Sequence, residues 1–193
     1  MTDMAGPHSF GPTALATPAN ALTAARLLAT PIFVGLIVVQ GASWWTVAVG
    51  VVVAGSDGLD GWIARRQGAT RSGAFLDPLA DKAIVLGAMF ALAAQGHLPW
   101  LPVLLIGARE IAMSAYRSWV ARRGVSIPAR RSAKIKTLVQ DLAIATCLVP
   151  PLASQHDLQL VAIWVAAGFT LWTGAQYVVD GWRAARSTGG AER

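Results

Sequence analysis

Residues 57–81 read DGLDGWIARRQGATRSGAFLDPLAD, and the interpretation of the whole chain depends on this stretch. Four aspartates lie in it, bordered by strongly apolar sequence: Asp57, Asp60, Asp77 and Asp81. Ionised carboxylates at membrane depth are costly and by default indicate a functional site. On helices, spacings of three and four place the members of each pair on one face. Two such pairs facing each other would supply only oxygen ligands, which predicts a two-metal centre for chemistry on a phosphate.

A simpler explanation exists for one of the four aspartates. Asp77-Pro78 is a typical start of a helix, with the aspartate as cap and the proline at the first helical position. Capping would account for Asp77 but not for Asp81 one turn later, nor for the earlier pair. The metal site therefore explains more of the pattern.

The composition indicates an integral membrane protein. Of the 193 residues, 54% are hydrophobic and 13% are charged, whereas a soluble domain has about 25% charged residues. We expect no cleavable signal peptide, because residues 1–20 lack Lys and Arg. A single cysteine, Cys147, excludes an internal disulfide. The net charge of +6 comes without a nucleic-acid-binding motif, so we expect contact with anionic membrane lipid and no nucleic acid partner.

Six apolar segments predict an all-α integral membrane fold with six transmembrane helices. They cover residues 21–40, 43–64, 77–96, 98–121, 133–153 and 158–181. Lys and Arg follow the second and sixth segments and surround the turn between the fourth and fifth, and the other three connections have none. This alternation predicts a multi-pass protein of the cell membrane with both termini in the cytoplasm. The predicted domains are a flexible tail over 1–19, a catalytic domain over 20–186 and a C-terminal tail over 187–193.

Two polar stripes lie on the first two segments. Asn20, Thr23 and Arg26 share one helix face, which either caps the helix and lets the arginine reach the surface or turns a polar face towards the aspartates. In the second segment, Asp57 and Asp60 continue into Arg65, whose guanidinium suits a phosphate. At 1.5 Å per residue, Asp57 lies about 12 Å from Arg65 along the helix. A site at this depth in the inner leaflet would suit a substrate with a phosphate head and lipid tails.

A second basic cluster lies further along the chain. Arg109 and Glu110 are midway in the fourth segment, too deep to be incidental, so we expect them to face a cavity or to pair with another span. Lys134 and Lys136 open the fifth segment. These cations predict a pocket for a second anionic group, and the alternative is that they only set the topology. Asp141 is a candidate partner for Arg109 or a lysine.

The spacing of these residues resembles a known family. The run Asp57-x2-Asp60-Gly61-x2-Ala64-Arg65, followed by Gly73-x3-Asp77-x3-Asp81, resembles the signature of the CDP-alcohol phosphatidyltransferases. The connection between Arg65 and Gly73 is one residue shorter than is common in that family. Four flanking motifs resemble the phosphatidylglycerophosphate synthases within it: Asn20-x2-Thr23-x2-Arg26, Asp77-Pro78-x-Ala80-Asp81-Lys82, Arg109-Glu110-Ile111 and Lys134-x-Lys136-Thr137.

The resemblance implies a six-helix homodimer whose site opens to the cytoplasm. The donor of the phosphatidyl group would be CDP-diacylglycerol and the acceptor sn-glycerol 3-phosphate. Two Mg²⁺ (or Mn²⁺) ions would be held by the four aspartates, with Asp81 also the general base. The remaining implied roles are CDP-lipid binding by Asn20, Thr23, Gly61, Arg65 and Thr70, acceptor-phosphate binding by Arg109, Lys134 and Lys136, and a structural role for Gly73 and Pro78.

Other functions fit parts of the pattern. Phosphatidylinositol-phosphate synthases also use a phosphomonoester acceptor, and cardiolipin or phosphatidylserine synthases share the signature. A small ion transporter would more typically place its carboxylates at the midplane on broken helices. A catalytically inactive, lipid-binding relative would keep the fold, and the shortened connection leaves that alternative open.

Overall fold

A computed structural model describes the backbone of residues 18–67, 73–122 and 131–189, and within these the side chains of 24–56, 82–116 and 135–179. All regular secondary structure in these ranges is α-helical. The six helices are α1 (Pro18–Gln40), α2 (Trp44–Gln67), α3 (Gly73–Ala94), α4 (Trp100–Arg122), α5 (Arg131–Leu148) and α6 (His156–Gly189). Each predicted apolar segment corresponds to one helix, which confirms the all-helical prediction.

Several helix ends differ from the apolar runs. The third helix begins at Gly73, not at Asp77, because Ala74 and Leu76 favour helix and extend it by one turn. The proline that was expected at the first position, Pro78, therefore lies further inside. The helix α5 ends at Leu148, well before residue 153, since Pro150 and Pro151 follow and the residue before a proline disfavours helical dihedrals. The last helix runs to Gly189, beyond the apolar run, through alanines and arginines that favour helix.

The helices pack as two groups joined by α3. In the first group, α1 packs most extensively against α3 and α2, and in the second, α6 packs against α5 and α4. The helix α3 also contacts α4 and α5. The fully buried centre combines Ile37, Met89, Ile106, Cys147 and Ile163, one from each of five helices. Cys147 is therefore a core residue.

Local caps define two of the connections. The α3 helix ends in a Schellman motif: His97 N–H donates to the Leu92 carbonyl (2.9 Å) and Gly96 N–H to the Ala93 carbonyl (3.1 Å). Gly96 has a φ of +79°, which a residue with a side chain rarely adopts. At the start of α2, the Ser43 hydroxyl accepts the Thr46 N–H at 3.0 Å and caps the helix. These caps fix sharp reversals between successive helices.

Large apolar side chains remain exposed around the bundle. Val39 is 83% exposed and Leu28 is 72% exposed, and further exposed valines, leucines or isoleucines lie on α2, α4, α5 and α6. Among the described residues, His156–Val179 is by length and composition the one helical segment able to cross a membrane by itself. Shorter apolar stretches are Ala24–Gln40, Trp44–Ser56 and Lys82–Ala94.

Candidate functional site

The four aspartates lie on two helices that contact each other. Asp57 and Asp60 belong to α2, and Asp77 and Asp81 belong to α3. The first pair lies within about three turns of the end of α2 and the second within about three turns of the start of α3. Because the two helices are consecutive, both pairs lie at the end of the hairpin where its helices are connected. The backbone thus meets the helical requirement of the predicted metal centre.

Most of the predicted site lies outside the described side chains. This holds for the four aspartates and for Asn20, Thr23, Gly61, Arg65, Gly73, Pro78 and Lys134, while Thr70 lies in the undescribed segment 68–72. Within the described part of the chain, no group of three or more His, Cys, Asp or Glu side chains is arranged to hold a metal ion. The metal centre and the contacts to CDP therefore remain predictions.

Arg26 connects α1 to the residue that precedes the first aspartate. Its side chain is buried, and its Nε donates to the Ser56 hydroxyl at 3.0 Å. The Ser56 hydroxyl in turn donates to the Val53 carbonyl at 2.7 Å. The arginine is therefore turned into the bundle and does not extend along the surface. Because α1 begins at Pro18, Asn20 lies inside its first turn and does not cap it.

Glu110 is the centre of a buried ionic cluster between α4 and α5. It is 4% exposed, and its Oε1 accepts hydrogen bonds from Arg109 Nη1 at 2.9 Å and Lys136 Nζ at 2.5 Å. The expectation that this deep carboxylate pairs with another span is confirmed by Lys136, which belongs to α5. A buried charge without such partners would be strongly destabilising. The cluster therefore fixes α4 against α5.

Arg109 extends the cluster to α6. Its Nη2 donates to the Thr173 hydroxyl at 3.3 Å, and its Nε is buried with no hydrogen-bond partner among the described residues. A Cβ added to Gly174 would lie 2.9 Å from that Nε, so the guanidinium packs directly on the α6 backbone. The lack of a side chain at Gly174 makes this approach possible. Arg109 is thus held from two sides, by Glu110 and by α6.

Ser114 links the cluster to the helix that carries the second aspartate pair. Lys82, the residue after Asp81, donates from its Nζ to the Ser114 hydroxyl. Ser114 lies one turn after Glu110 and donates to its carbonyl at 2.8 Å. A further buried hydrogen bond, from Gln140 Nε2 to the Thr170 hydroxyl at 2.9 Å, joins α5 to α6 nearby. Polar contacts therefore run from α3 through α4 and α5 to α6.

Sequence reasoning identified the charged members of this cluster but missed the neutral ones. Ser114, Gln140 and Thr173 are small or uncharged polar residues in apolar helices. One signal could have found two of them: Ser114 follows Glu110 by four residues and Gln140 follows Lys136 by four, so each shares a helix face with a buried charge. Thr173 has no comparable signal, because no charged residue lies three or four residues from it in α6.

Comparison with known proteins agrees with the signature. The model of the family described as CDP-alcohol phosphatidyltransferase matches residues 16–172, which include both aspartate pairs and the ionic cluster around Glu110. The match begins next to the start of α1 and ends within α6. It therefore extends over all six helices.

Three relatives are similar to the chain over most of its length. A Mycobacterium tuberculosis protein named probable phosphatidylglycerophosphate synthase is 37% identical over 185 residues, covering 91% of this chain and 85% of that protein. A Pseudomonas fluorescens protein named CDP-diacylglycerol–glycerol-3-phosphate 3-phosphatidyltransferase is 36% identical over 184 residues, covering 90% and 94%. An Escherichia coli protein of that name is 38% identical over 165 residues, covering 81% and 90%.

Proposed function

The chain belongs to the CDP-alcohol phosphatidyltransferase family, and we propose that it transfers the phosphatidyl group of CDP-diacylglycerol to sn-glycerol 3-phosphate. The products would be phosphatidylglycerophosphate and CMP, a step of phospholipid biosynthesis. The names of relatives that are 36–38% identical to this chain over the aligned residues support that donor and acceptor. The observation that carries the proposal is the buried ionic cluster around Glu110, which holds Lys136 and connects through Ser114 to the residue after Asp81.

In the proposed reaction, a hydroxyl oxygen of the acceptor forms a bond to the phosphorus that carries diacylglycerol. The bond from that phosphorus to the bridging oxygen breaks, and CMP leaves with the electron pair. Asp81 takes the proton of the attacking hydroxyl. A carboxylate is a weak base at neutral pH, so its surroundings must adapt it to this role.

The donor set of the two aspartate pairs fits divalent cations. Four carboxylates on two contacting helices supply only oxygen ligands, as Mg²⁺ and Mn²⁺ prefer. We propose that Asp57, Asp60, Asp77 and Asp81 hold two such ions. When bound, the ions would neutralise negative charge that develops on the diphosphate.

The remaining site residues would divide between the two substrates. We propose that Gly61, Arg65 and Thr70 bind the CDP moiety, with Asn20 and Thr23 beside them. Lys134 and Lys136 would bind the phosphate of the acceptor, in the end of the bundle where α5 begins. Gly73 and Pro78 would shape the start of the helix that carries Asp77 and Asp81. Arg109 would also contribute to the acceptor site, through the N–H groups that it does not use for Glu110 and Thr173.

We propose that the protein crosses the cell membrane six times, with both termini and the site facing the cytoplasm. The four helices α1 to α4 have 22 to 24 residues, or about 33–36 Å at 1.5 Å per residue, which matches a hydrocarbon core of about 30 Å. Apolar side chains exposed around the bundle, such as Leu28 and Val39, would contact lipid. A homodimer in the membrane would cover part of the same surface.

The test is the release of CMP by purified protein in CDP-diacylglycerol micelles with Mg²⁺. Glycerol 3-phosphate, inositol phosphate, phosphatidylglycerol and serine are offered separately. We expect turnover with glycerol 3-phosphate only. Turnover with another acceptor would contradict the proposed specificity and preserve the family chemistry. No turnover with any acceptor, from folded protein with metal present, would indicate an inactive lipid-binding relative.

A further inference from the structure

We propose that Lys136 alternates between two anions, the carboxylate of Glu110 when the acceptor site is empty and the phosphate of the acceptor when it is filled. This inference rests on the proposed function and deepens it. Lys136 is the group that touches the substrate. Glu110 is a positioning residue, because it determines where the ammonium lies before the acceptor binds, and Arg109 supports Glu110.

The two cations on Glu110 differ in how firmly they are held. The guanidinium of Arg109 donates to Glu110 and to the Thr173 hydroxyl and packs against Gly174. Moving it would break two hydrogen bonds and shift a buried group. Arg109 is therefore a fixed partner of the carboxylate and would stay in place when the acceptor binds.

Lys136 is the releasable partner. Among the described residues, its Nζ donates to Glu110 alone, although an ammonium has three N–H groups. It lies at the end of a flexible four-carbon chain, so rotation about side-chain bonds can redirect it. When it turns away, Glu110 keeps its hydrogen bond to Arg109 at 2.9 Å. The carboxylate is therefore never left buried without a cation, which would be strongly destabilising.

The exchange favours an acceptor with a phosphomonoester. The acceptor's phosphate carries close to two negative charges at neutral pH and offers several acceptor oxygens, so it competes with a carboxylate of one charge. Serine offers one carboxylate charge beside its own ammonium group, so it competes less well for a lysine that already has a carboxylate partner. The pair Glu110–Lys136 therefore favours an acceptor that carries more negative charge than the carboxylate it replaces.

The place of the pair agrees with this role. Lys136 belongs to the second turn of α5, two residues after Lys134, at the end of the bundle where the basic residues collect. Glu110 is joined through Ser114 to Lys82, which follows Asp81 in α3. Hydrogen bonds therefore connect Lys136 in α5, through α4, to the helix α3 that carries the proposed general base.

The decisive variant is Glu110→Gln, which keeps the shape and a carbonyl acceptor but removes the charge. Lys136 would then be held less tightly and would pass more readily to the incoming phosphate. We expect the KM for glycerol 3-phosphate to fall about fivefold, since the ion pair between Lys136 and the carboxylate is replaced by a weaker hydrogen bond from the ammonium to a neutral amide oxygen. The KM for CDP-diacylglycerol should stay unchanged. Direct titration of glycerol 3-phosphate into the protein should show the same tighter binding.

Four further proteins, three with single substitutions and one double variant, isolate the cause. Glu110→Asp keeps the charge and should return the KM for glycerol 3-phosphate towards the wild-type value. Lys136→Met should raise that KM, and adding Glu110→Gln to it should change nothing more, because the carboxylate acts only through the lysine. Asp157→Asn, at an exposed acid in the first turn of α6, is the matched control and should have no effect.

The outcomes separate this inference from the proposed function. An unchanged or raised KM in the folded Glu110→Gln protein, or a further effect on top of Lys136→Met, would overturn the inference while the wild type still uses glycerol 3-phosphate. A wild type that turns over a different acceptor, or none, would instead contradict the proposed function itself.

Discussion

Replacing Gly174 by alanine tests how rigidly Arg109 is held against α6. The added Cβ would lie 2.9 Å from Arg109 Nε, 3.4 Å from its Cγ and 3.7 Å from its Cδ. Contacts below 3.0 Å force a shift, and here the atom that must move belongs to a guanidinium already bonded to Glu110 and Thr173. The added methyl group would therefore distort the hydrogen bonds of Arg109 to Glu110 and Thr173, because the guanidinium cannot move without them.

The magnitude follows from two opposing terms. Overpacking a buried contact costs about 1–3 kcal/mol, and replacing glycine by alanine inside a helix contributes about 1 kcal/mol in the other direction. We expect a net loss of up to about 2 kcal/mol in the free energy of unfolding. For a chain of this size that lowers Tm by up to about 8 °C.

The single cysteine supplies the assay. Cys147 is free and buried, so a maleimide dye that fluoresces on reaction with thiols reports unfolding of the detergent-solubilised protein. Gly168→Ala, in the same helix, is the matched control because nothing lies within 4 Å of its added Cβ. It should leave Tm unchanged or raise it slightly. A Gly174→Ala protein as stable as the Gly168→Ala protein would refute the idea that Arg109 is a fixed anchor.

Three other substitutions test separate parts of the molecule. Arg109→Lys should lower the free energy of unfolding by about 1–3 kcal/mol in the same dye assay, because one ammonium cannot keep the geometry of both hydrogen bonds; an unchanged Tm would show that they contribute nothing. Gly50→Ala would place a Cβ 2.9 Å from the buried ring of Phe33 and should lower Tm, whereas Gly55→Ala in the same helix, with nothing within 4 Å, should not. Asp81→Asn should abolish CMP release with much less effect on binding of CDP-diacylglycerol, and comparable turnover would remove Asp81 from its role as base.

The helices could be predicted from the sequence because each apolar run is long and bounded by polar or basic residues. Their ends were less predictable, since a helix continues wherever the local residues favour it. The helix α6 runs past its apolar segment to Gly189 for this reason, and α5 stops early where Pro150 and Pro151 interrupt it. Hydropathy indicates which residues can be buried in lipid or protein. Helix propensity and the positions of prolines determine where the helix itself ends.

The site was predictable as a set of residues but only partly as a set of contacts. Periodicity shows which residues share a face of one helix, and it predicted that the two members of each aspartate pair do so. It does not show which helices are neighbours, so the partner of Arg109 on α6, Thr173, could not be found. The charged residues themselves were easier to identify, because a charged side chain deep in an apolar segment is rare and requires a partner.

The ionic cluster also explains why so apolar a bundle carries buried charges at all. Apolar packing holds helices together in lipid without fixing their register strongly, because lipid competes for the same surfaces. The carboxylate of Glu110 binds one fixed and one releasable cation, and these define the positions of the neighbouring helices. Arg109 holds α4 against α6, while Lys136 holds α5 against α4 through a bond that can be exchanged. If an acceptor phosphate takes Lys136, the bond between α4 and α5 weakens while that between α4 and α6 persists. Binding of the acceptor would then loosen α5, the helix that carries Lys134 and Lys136, before it affects the packing of α4 on α6.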